Sequence, residues 1–358
     1  MKQEIEFGKK AFWFRPKGPE DDVVISSRVR LSRNLEGFAF PFQMSTDEER
    51  EACQLIIQAI RDNSENKPHL GLLGLDDLHP LDRKLLLERN LISQDFSLGQ
   101  NKFLALSEDG SLSVLINETD HLKLVALKSG FILKEAYAEV DKLDNLYEQK
   151  LDYAVSLEFG YLGPSLTNIG TGLRASFMLH LPALVFTSLI SKAVKTIASF
   201  GLTVKGFFSD SEESLGDLYQ ISNQFSIGMS ENEIIEHVEE IVLQIVHYER
   251  RAREELLNRE PIVIKDKIFR ALGTLLYAKS ISSKEAMSLL SLVRLGIALG
   301  LISGVQVELI SSLFFLCQKY HIQTVLGHVD EIDSKLIDYT RAKLIRESFT
   351  NVHVAGGE

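Results

Sequence analysis

The chain has 358 residues, 45% hydrophobic and 25% charged, a balance that supports one large core or two moderate ones and argues against disorder. A formal net charge of −11 excludes a general basic face for gripping nucleic acid, so any phosphate recognition has to be local. Cys53 and Cys317 match no zinc or redox spacing, which excludes a disulfide framework and fits a reducing, cytoplasmic setting.

The first eighteen residues, MKQEIEFGKKAFWFRPKG, mix acids and lysines where a secretory leader needs an apolar block. Next, VVISSRVRLSRN sets Arg28 and Arg30 two apart on a short strand, so both point to one face. Paired guanidinium forks suit phosphate, although composition alone favours a solvated strand face. Residues 112–117 and 121–127 read as a hairpin whose turn holds Glu118, Thr119 and Asp120; by composition these acids are ordinary turn residues. From 159 to 183, Gly160, Gly163, Gly170 and Gly172 make a flexible loop before Arg174, able to approach a phosphate closely. It fits neither the Walker nor the Rossmann glycine pattern.

A helix is expected over 182–199 behind Pro182, then a strand over 202–208 closed by the polar run 209–214. Ser230 and Glu233 form a capping box that opens a helix with an apolar stripe from Ile234 to Val246. The charged stretch 248–260, followed by Pro261, suggests a domain junction near 255–262. Beyond it, residues 265–279, 282–301, 305–320 and 330–348 all read as helices, the second with Ser282 and Glu285 as a further capping box. The most apolar stretch, 286–302, is broken by Arg294 and reads as a buried helix, with no membrane span.

Taken together, SSRVRLSRN, VLINETDHLKL and TNIGTGLRASFMLHLPAL resemble, in order and spacing, three motifs of the phosphagen kinase superfamily. ISNQFSIGMSENEII, residues 221–235, is similar to the bacterial protein-arginine kinases of the McsB type, as is the short lead-in to Arg28 with helices placed last. The resemblance implies an α+β fold: an antiparallel sheet flanked by helices as the catalytic domain over 22–255, after an extension over 1–21. An all-helical domain over 256–358 would then serve dimerisation and phosphoarginine binding. The implied activity is transfer of the γ-phosphate of MgATP to arginine guanidinium groups of proteins, in a cytoplasmic homodimer aided by a zinc-binding activator.

Carried over by motif, the catalytic carboxylates are Glu118 and Asp210. The nucleotide contacts are Ser26, Ser27, Arg28, Val29, Arg30, Lys123, Arg174, Ala175, Ser176, Phe177, Met178, Lys205, Gly206, Phe207, Phe208 and Ser209. Magnesium is held through the phosphates, with no protein metal site. Asp338 and Arg341, in IDYTRA, match the phosphoarginine motif except that Ile337 stands for its first arginine. The departures gather at the chemistry. Thr119 replaces the second Glu of the hairpin motif, Lys123 and Lys205 replace arginines, Ser209-Asp210 replaces Gly-Glu, Ser165 replaces a cysteine and Asn90 a histidine. The resemblance therefore carries an alternative, a weak or inactive member that acts as a phosphoarginine- or protein-binding regulatory module. A kinase for free arginine is disfavoured because the extra N-terminal helical domain is missing.

Overall fold

The computed structural model describes residues 13–14, 16–62, 69–207, 214–327, 332–349 and 352–354. Strand β1 (Val24–Arg33) turns Val29 and Leu31 to one face and Arg28 and Arg30 to the other, as a period of two requires. After helix α1 (Thr46–Asp62) come β2 (Gly71–Gly74), α2 (Pro80–Glu88), α3 (Gln94–Leu98), β3 (Phe103–Leu106), β4 (Leu112–Ile116), β5 (Leu122–Ser129) and α4 (Leu133–Glu148). A small ribbon, β6 (Val155–Ser156) with β7 (Gly160–Tyr161), precedes β8 (Leu173–His180), α5 (Pro182–Phe186), α6 (Ile190–Ser199), β9 (Leu202–Gly206), β10 (Leu218–Asn223) and α7 (Glu231–Arg259). The eight longer strands form one antiparallel sheet in the order β2-β3-β4-β5-β1-β8-β10-β9, as the resemblance implies. The chain closes with α8 (Pro261–Tyr277), α9 (Ser283–Ala298), β11 (Ile302–Ser303), α10 (Val307–Leu316), α11 (Lys319–Val325), α12 (Ser334–Ser348) and β12 (His353–Val354).

One sheet face packs Val29, Leu124, Ala175 and Phe177 against Ile56 of α1, Val140 of α4 and Val238 of α7. The other face is divided. Leu115, Val125 and Met178 join a second core that continues into Ile268, Leu290 and Phe314 of the C-terminal helices. The neighbouring part of that face carries the charged side chains described below. Among the described residues no helix is long and apolar enough to cross a membrane.

Several expected helices are divided. The one over 182–199 breaks where Ser188 takes φ +59, a left-handed value no helix interior tolerates. The one over 305–320 breaks at Gln318, whose backbone is extended. The one over 282–301 stops at Ala298, and Ile302 pairs with Val354 in a two-stranded ribbon, so the C-terminal part is not wholly helical. The capping box at Ser230 forms as expected, with Ser230 N donating to Glu233 Oε2 at 2.8 Å and Glu233 N to Ser230 Oγ at 3.3 Å.

The charged stretch 248–260 does not loosen the chain, because α7 runs through it without a break and turns only at Glu260 and Pro261. Glu249, fully buried, accepts the backbone N–H groups of Ala183 and Leu184 at 3.1 and 3.0 Å, which caps the short helix α5. Arg253 donates to the same carboxylate at 2.9 Å.

Arg294 is also fully buried, so its charge has to be satisfied inside the protein. Its guanidinium donates to the carbonyls of Asp21 and Asp22 and to His180 Nδ1, the last two at 2.9 Å. Burial holds His180 well below the usual imidazole range, so Nδ1 is free to accept and Nε2 donates to Ser291 Oγ at 2.9 Å. An Arg294→Met variant leaves these acceptors buried and unpaired. Urea unfolding should register a loss of about 3–5 kcal/mol; a loss under about 1 kcal/mol would show the arginine to be dispensable.

Candidate active site

Strand alternation and register build a cationic row. In β1, Arg30 lies opposite Arg174 of β8, and Ser32 lies opposite Lys123 of β5. Ser176, two residues on from Arg174, pairs with Arg28; Lys205 of β9 pairs with Gln220 of β10. The side chains of Lys123, Arg28, Arg30, Arg174 and Lys205 thus rise from β5, β1, β8 and β9 on the face away from the first core.

These charges are poorly solvated. Arg28 NH1 donates to Asn90 Oδ1 at 3.0 Å, and Arg174 NH2 to Ser222 Oγ at 2.9 Å. Burial, with the nearby charge of Arg174, pushes Arg28 down to about 10, and burial with Arg28 and Arg174 holds Arg30 well below the usual arginine range. Arg28 Nε is buried without a partner, and among the described residues the Arg30 guanidinium has none either. Half-buried guanidiniums that repel one another and keep donors in hand form a receptor for a polyanion such as a triphosphate.

Glu118 closes one end of the row. It sits in the turn after β4, which opens at Asn117 with φ +58, a value asparagine tolerates better than most residues. Glu118 Oε2 accepts from Lys123 Nζ, and Oε1 accepts from Ser93 Oγ at 2.5 Å. Burial alone would raise its pKa, but Lys123 and Ser93 outweigh that and hold the carboxyl below the usual glutamate range. Since the ionised form persists above that lowered value, an activity that needs it should fall only when pH drops below the ordinary carboxylate range. A Lys123→Met variant should shift the acid limb of the pH–rate profile upward, and an unmoved limb would dissociate Glu118 from it.

Asp120 has no comparable freedom. Fully buried, it accepts from Asn34 Nδ2 at 3.0 Å and Asn168 Nδ2 at 3.1 Å and reaches the row through Lys123 at 4.0 Å, so of the two turn acids Glu118 is the one that also borders the cleft. Beside Glu118 opens a cleft of about 780 Å³ lined by Thr119, Ser165, Pro41, Phe42, Glu49 and Lys102, among others. Its position sets a carboxylate between the cationic row and an accessible hollow, an arrangement suited to phosphoryl transfer to a second substrate.

Residues 51–252 match the family described as ATP:guanido phosphotransferase, C-terminal catalytic domain, and residues 261–356 match the protein-arginine kinase McsB C-terminal domain. Protein-arginine kinases are similar along nearly the whole chain. That of Halalkalibacterium halodurans is 40% identical over 335 residues, 93% of this chain and 94% of that one. That of Bacillus subtilis is 38% identical over 340 residues, 94% and 92% of the two chains. This chain belongs to the ATP:guanido phosphotransferase family, in its protein-arginine kinase branch. The fold agrees. A Schistosoma mansoni duplicated taurocyamine kinase with bound transition state analog components superposes with TM-score 0.60 at 25% identity, over 68% of this chain and 35% of that one. A lombricine kinase superposes with TM-score 0.57 at 19% identity, over 68% and 70%.

Within this kinase the expected nucleotide contacts separate by face. Arg28, Arg30, Lys123, Arg174 and Lys205 share the row, and Ser176 lies beneath it, its hydroxyl on the Arg28 carbonyl at 3.3 Å. Val29, Ala175 and Phe177 point the opposite way into the first core, so their side chains meet no ligand on the row. Ser27 also faces away: its hydroxyl donates to the Gly130 carbonyl at 2.7 Å and accepts from Ile132 N at 2.9 Å. Ser26 and Met178 are buried, and Phe207 packs edge-on to Phe315 at 6.4 Å. A contiguous motif of a strand cannot line a single face. Phe208, Ser209 and Asp210 lie outside the described residues, and Gly206 ends β9 at their edge.

The glycine loop behaves differently from the expectation of phosphate approach. A Cβ at Gly170, φ +106, would meet Ser226 O at 2.6 Å, and one at Gly172, φ +68, would meet Ser32 O at 2.6 Å. These glycines bring the loop against its own neighbouring backbone. Arg341, expected on phosphoarginine, is 2% exposed and donates to the carbonyls of Cys317 at 2.6 Å and Ile281 at 2.8 Å, and to Asp338. A guanidinium so engaged ties α12 to the starts of its neighbours and argues against an anion receptor there. Cys53 and Cys317 are buried free thiols, both pushed up to about 12 by burial, in keeping with small core residues. Ser93 and Ser222 escaped sequence reasoning; Ser93 carries a visible sign only as the N-cap of α3.

Proposed function

We propose that this kinase transfers the γ-phosphate of ATP to arginine side chains of proteins, with the triphosphate on the row of Arg28, Arg30, Arg174, Lys123 and Lys205 and the arginine in the adjoining cleft. The observation that carries the reading is Glu118, an ionised carboxylate held between that row and that hollow. A guanidinium is a poor nucleophile, with a pKa above about 12, until a carboxylate orients it and takes its proton. Glu118 is the group for that role. Attack by the freed nitrogen on the γ-phosphorus breaks the bond to the bridging oxygen, and ADP leaves with the charge the arginines neutralise. The regulatory-module alternative is not favoured, because protein-arginine kinases are similar along more than nine-tenths of the chain and the substitution at Thr119 leaves Glu118 in place.

Magnesium belongs to this proposal as an ion carried on the ATP phosphates, where it would offset their charge. The cytoplasmic setting, a zinc-binding activator and a homodimer belong to the same proposal. Exposed apolar side chains on the C-terminal helices, Ile262 at 81% and Tyr277 at 77%, offer surface for a second copy. The test is incubation with γ-labelled ATP, magnesium and an unfolded, arginine-containing protein. Acid-labile label on arginine is the expected result. No label, with ATP bound and an activator from a relative present, sinks the reading.

A further inference from the structure

We infer that Glu49, on the first turn of α1, receives the guanidinium of the substrate arginine in the cleft beside Glu118, an assignment that rests on the arginine-kinase reading above. Thr119 stands where the family pattern has a second glutamate, so the hairpin alone presents one carboxylate to the acceptor. Both oxygens of that carboxylate are engaged, Oε1 by Ser93 and Oε2 by Lys123. Glu49 lines the same cleft from another wall, together with Thr119 and Ser165. Asn101 Nδ2 donates to its Oε2 at 3.2 Å, and Lys102 acts on it through space without a direct ion-pair contact, which leaves acceptor capacity open.

The start of α1 does not need this acid. Glu48 already caps it, accepting from Ser45 N at 2.8 Å, and Asp47 is almost fully exposed toward Arg50. Glu49 is instead the acid of that turn that lines the cleft. The remaining charge there is Lys102, whose ammonium donates to the Asn117 carbonyl and feels both Glu49 and Glu118. Pro41, Phe42 and Met44 complete the wall, with Phe42 70% exposed. An arginine side chain has this composition in reverse, an apolar three-carbon stem and a cationic fork, so the stem packs on Phe42 while the fork meets Glu49. Glu49 thereby restores from α1 a second carboxylate lost from the hairpin.

The test is steady-state kinetics of the full chain with a short arginine-containing peptide, comparing Glu49→Gln, Glu49→Asp and Thr46→Lys. The last sets a cation on the same wall while keeping Glu49, so it tests the idea even where Glu49→Gln folds badly. The expected result is a rise in peptide KM of about tenfold for Glu49→Gln and Thr46→Lys, an intermediate value for Glu49→Asp, and unchanged kcat and ATP affinity. An unchanged peptide KM, or a loss confined to kcat, overturns the assignment. If the native chain labels no arginine, the functional reading has failed, and calorimetric peptide binding decides the inference alone. Weaker binding by Glu49→Gln then supports it and equal binding overturns it.

Discussion

Replacing Arg30 with alanine should lower phosphoryl transfer by about 10²–10³-fold while leaving the nucleotide-free protein as stable as before, or more so. The two halves of this expectation have one cause. Arg30 is pushed below the usual arginine range by burial and by Arg28 and Arg174, so in the free protein its charge is repelled and weakly solvated. Removing it relieves that repulsion, and no hydrogen bond among the described residues is lost with it. When a triphosphate lies on the row, the same guanidinium becomes a donor aimed at developing charge in a water-poor setting, where such contacts are worth most. Arg30→Lys should recover part of the rate, since it keeps the charge and loses the fork. A thermal melt and a labelling assay read the two effects. A variant that loses stability and keeps transfer would assign Arg30 to the fold.

Glu118→Gln should reduce transfer by about 10²–10⁴-fold with ATP affinity little changed, because the amide keeps the shape of the side chain and cannot take the guanidinium proton. Loss of the charge also frees Lys123, whose Nζ lies 3.0 Å from Thr119 Oγ1. In Thr119→Glu a new carboxylate enters the cleft within reach of that lysine, so the double variant Glu118→Gln, Thr119→Glu should regain a measurable part of the rate. Glu118→Gln with native transfer rates would remove Glu118 from the chemistry. Failure of the double variant alone would restrict the base to the geometry Glu118 has now.

Local pattern was enough for part of this protein. The alternation in β1 puts Arg28 and Arg30 on one face, the Ser230–Glu233 box starts α7, and Arg294 marks a helix that cannot face lipid; each depends on neighbours within a few residues. The motifs in order also pointed to the family and hence to an antiparallel sheet. Backbone breaks within a helical pattern were less legible, because at Ser188 and Gln318 the apolar spacing continues while φ or ψ does not.

Tertiary structure decided what each strand face packs against. Alternation separates Val29, Ala175 and Phe177 from Arg28 and Arg174, but which of the two faces becomes core and which carries the cationic row depends on the distant helices that cover one of them. Tertiary structure also decided that Asp120 is spent on Asn34 and Asn168 whereas Glu118 meets Lys123 and Ser93. Arg341 became a buried tie to two carbonyls, and Glu49, distant in sequence from every motif, came to share a cleft with Thr119 and Ser165. The physical reason is common to these cases. A residue's type and its neighbours fix what it can do, but hydrogen-bond partners and desolvation come from segments far along the chain, and those select which capacity is used.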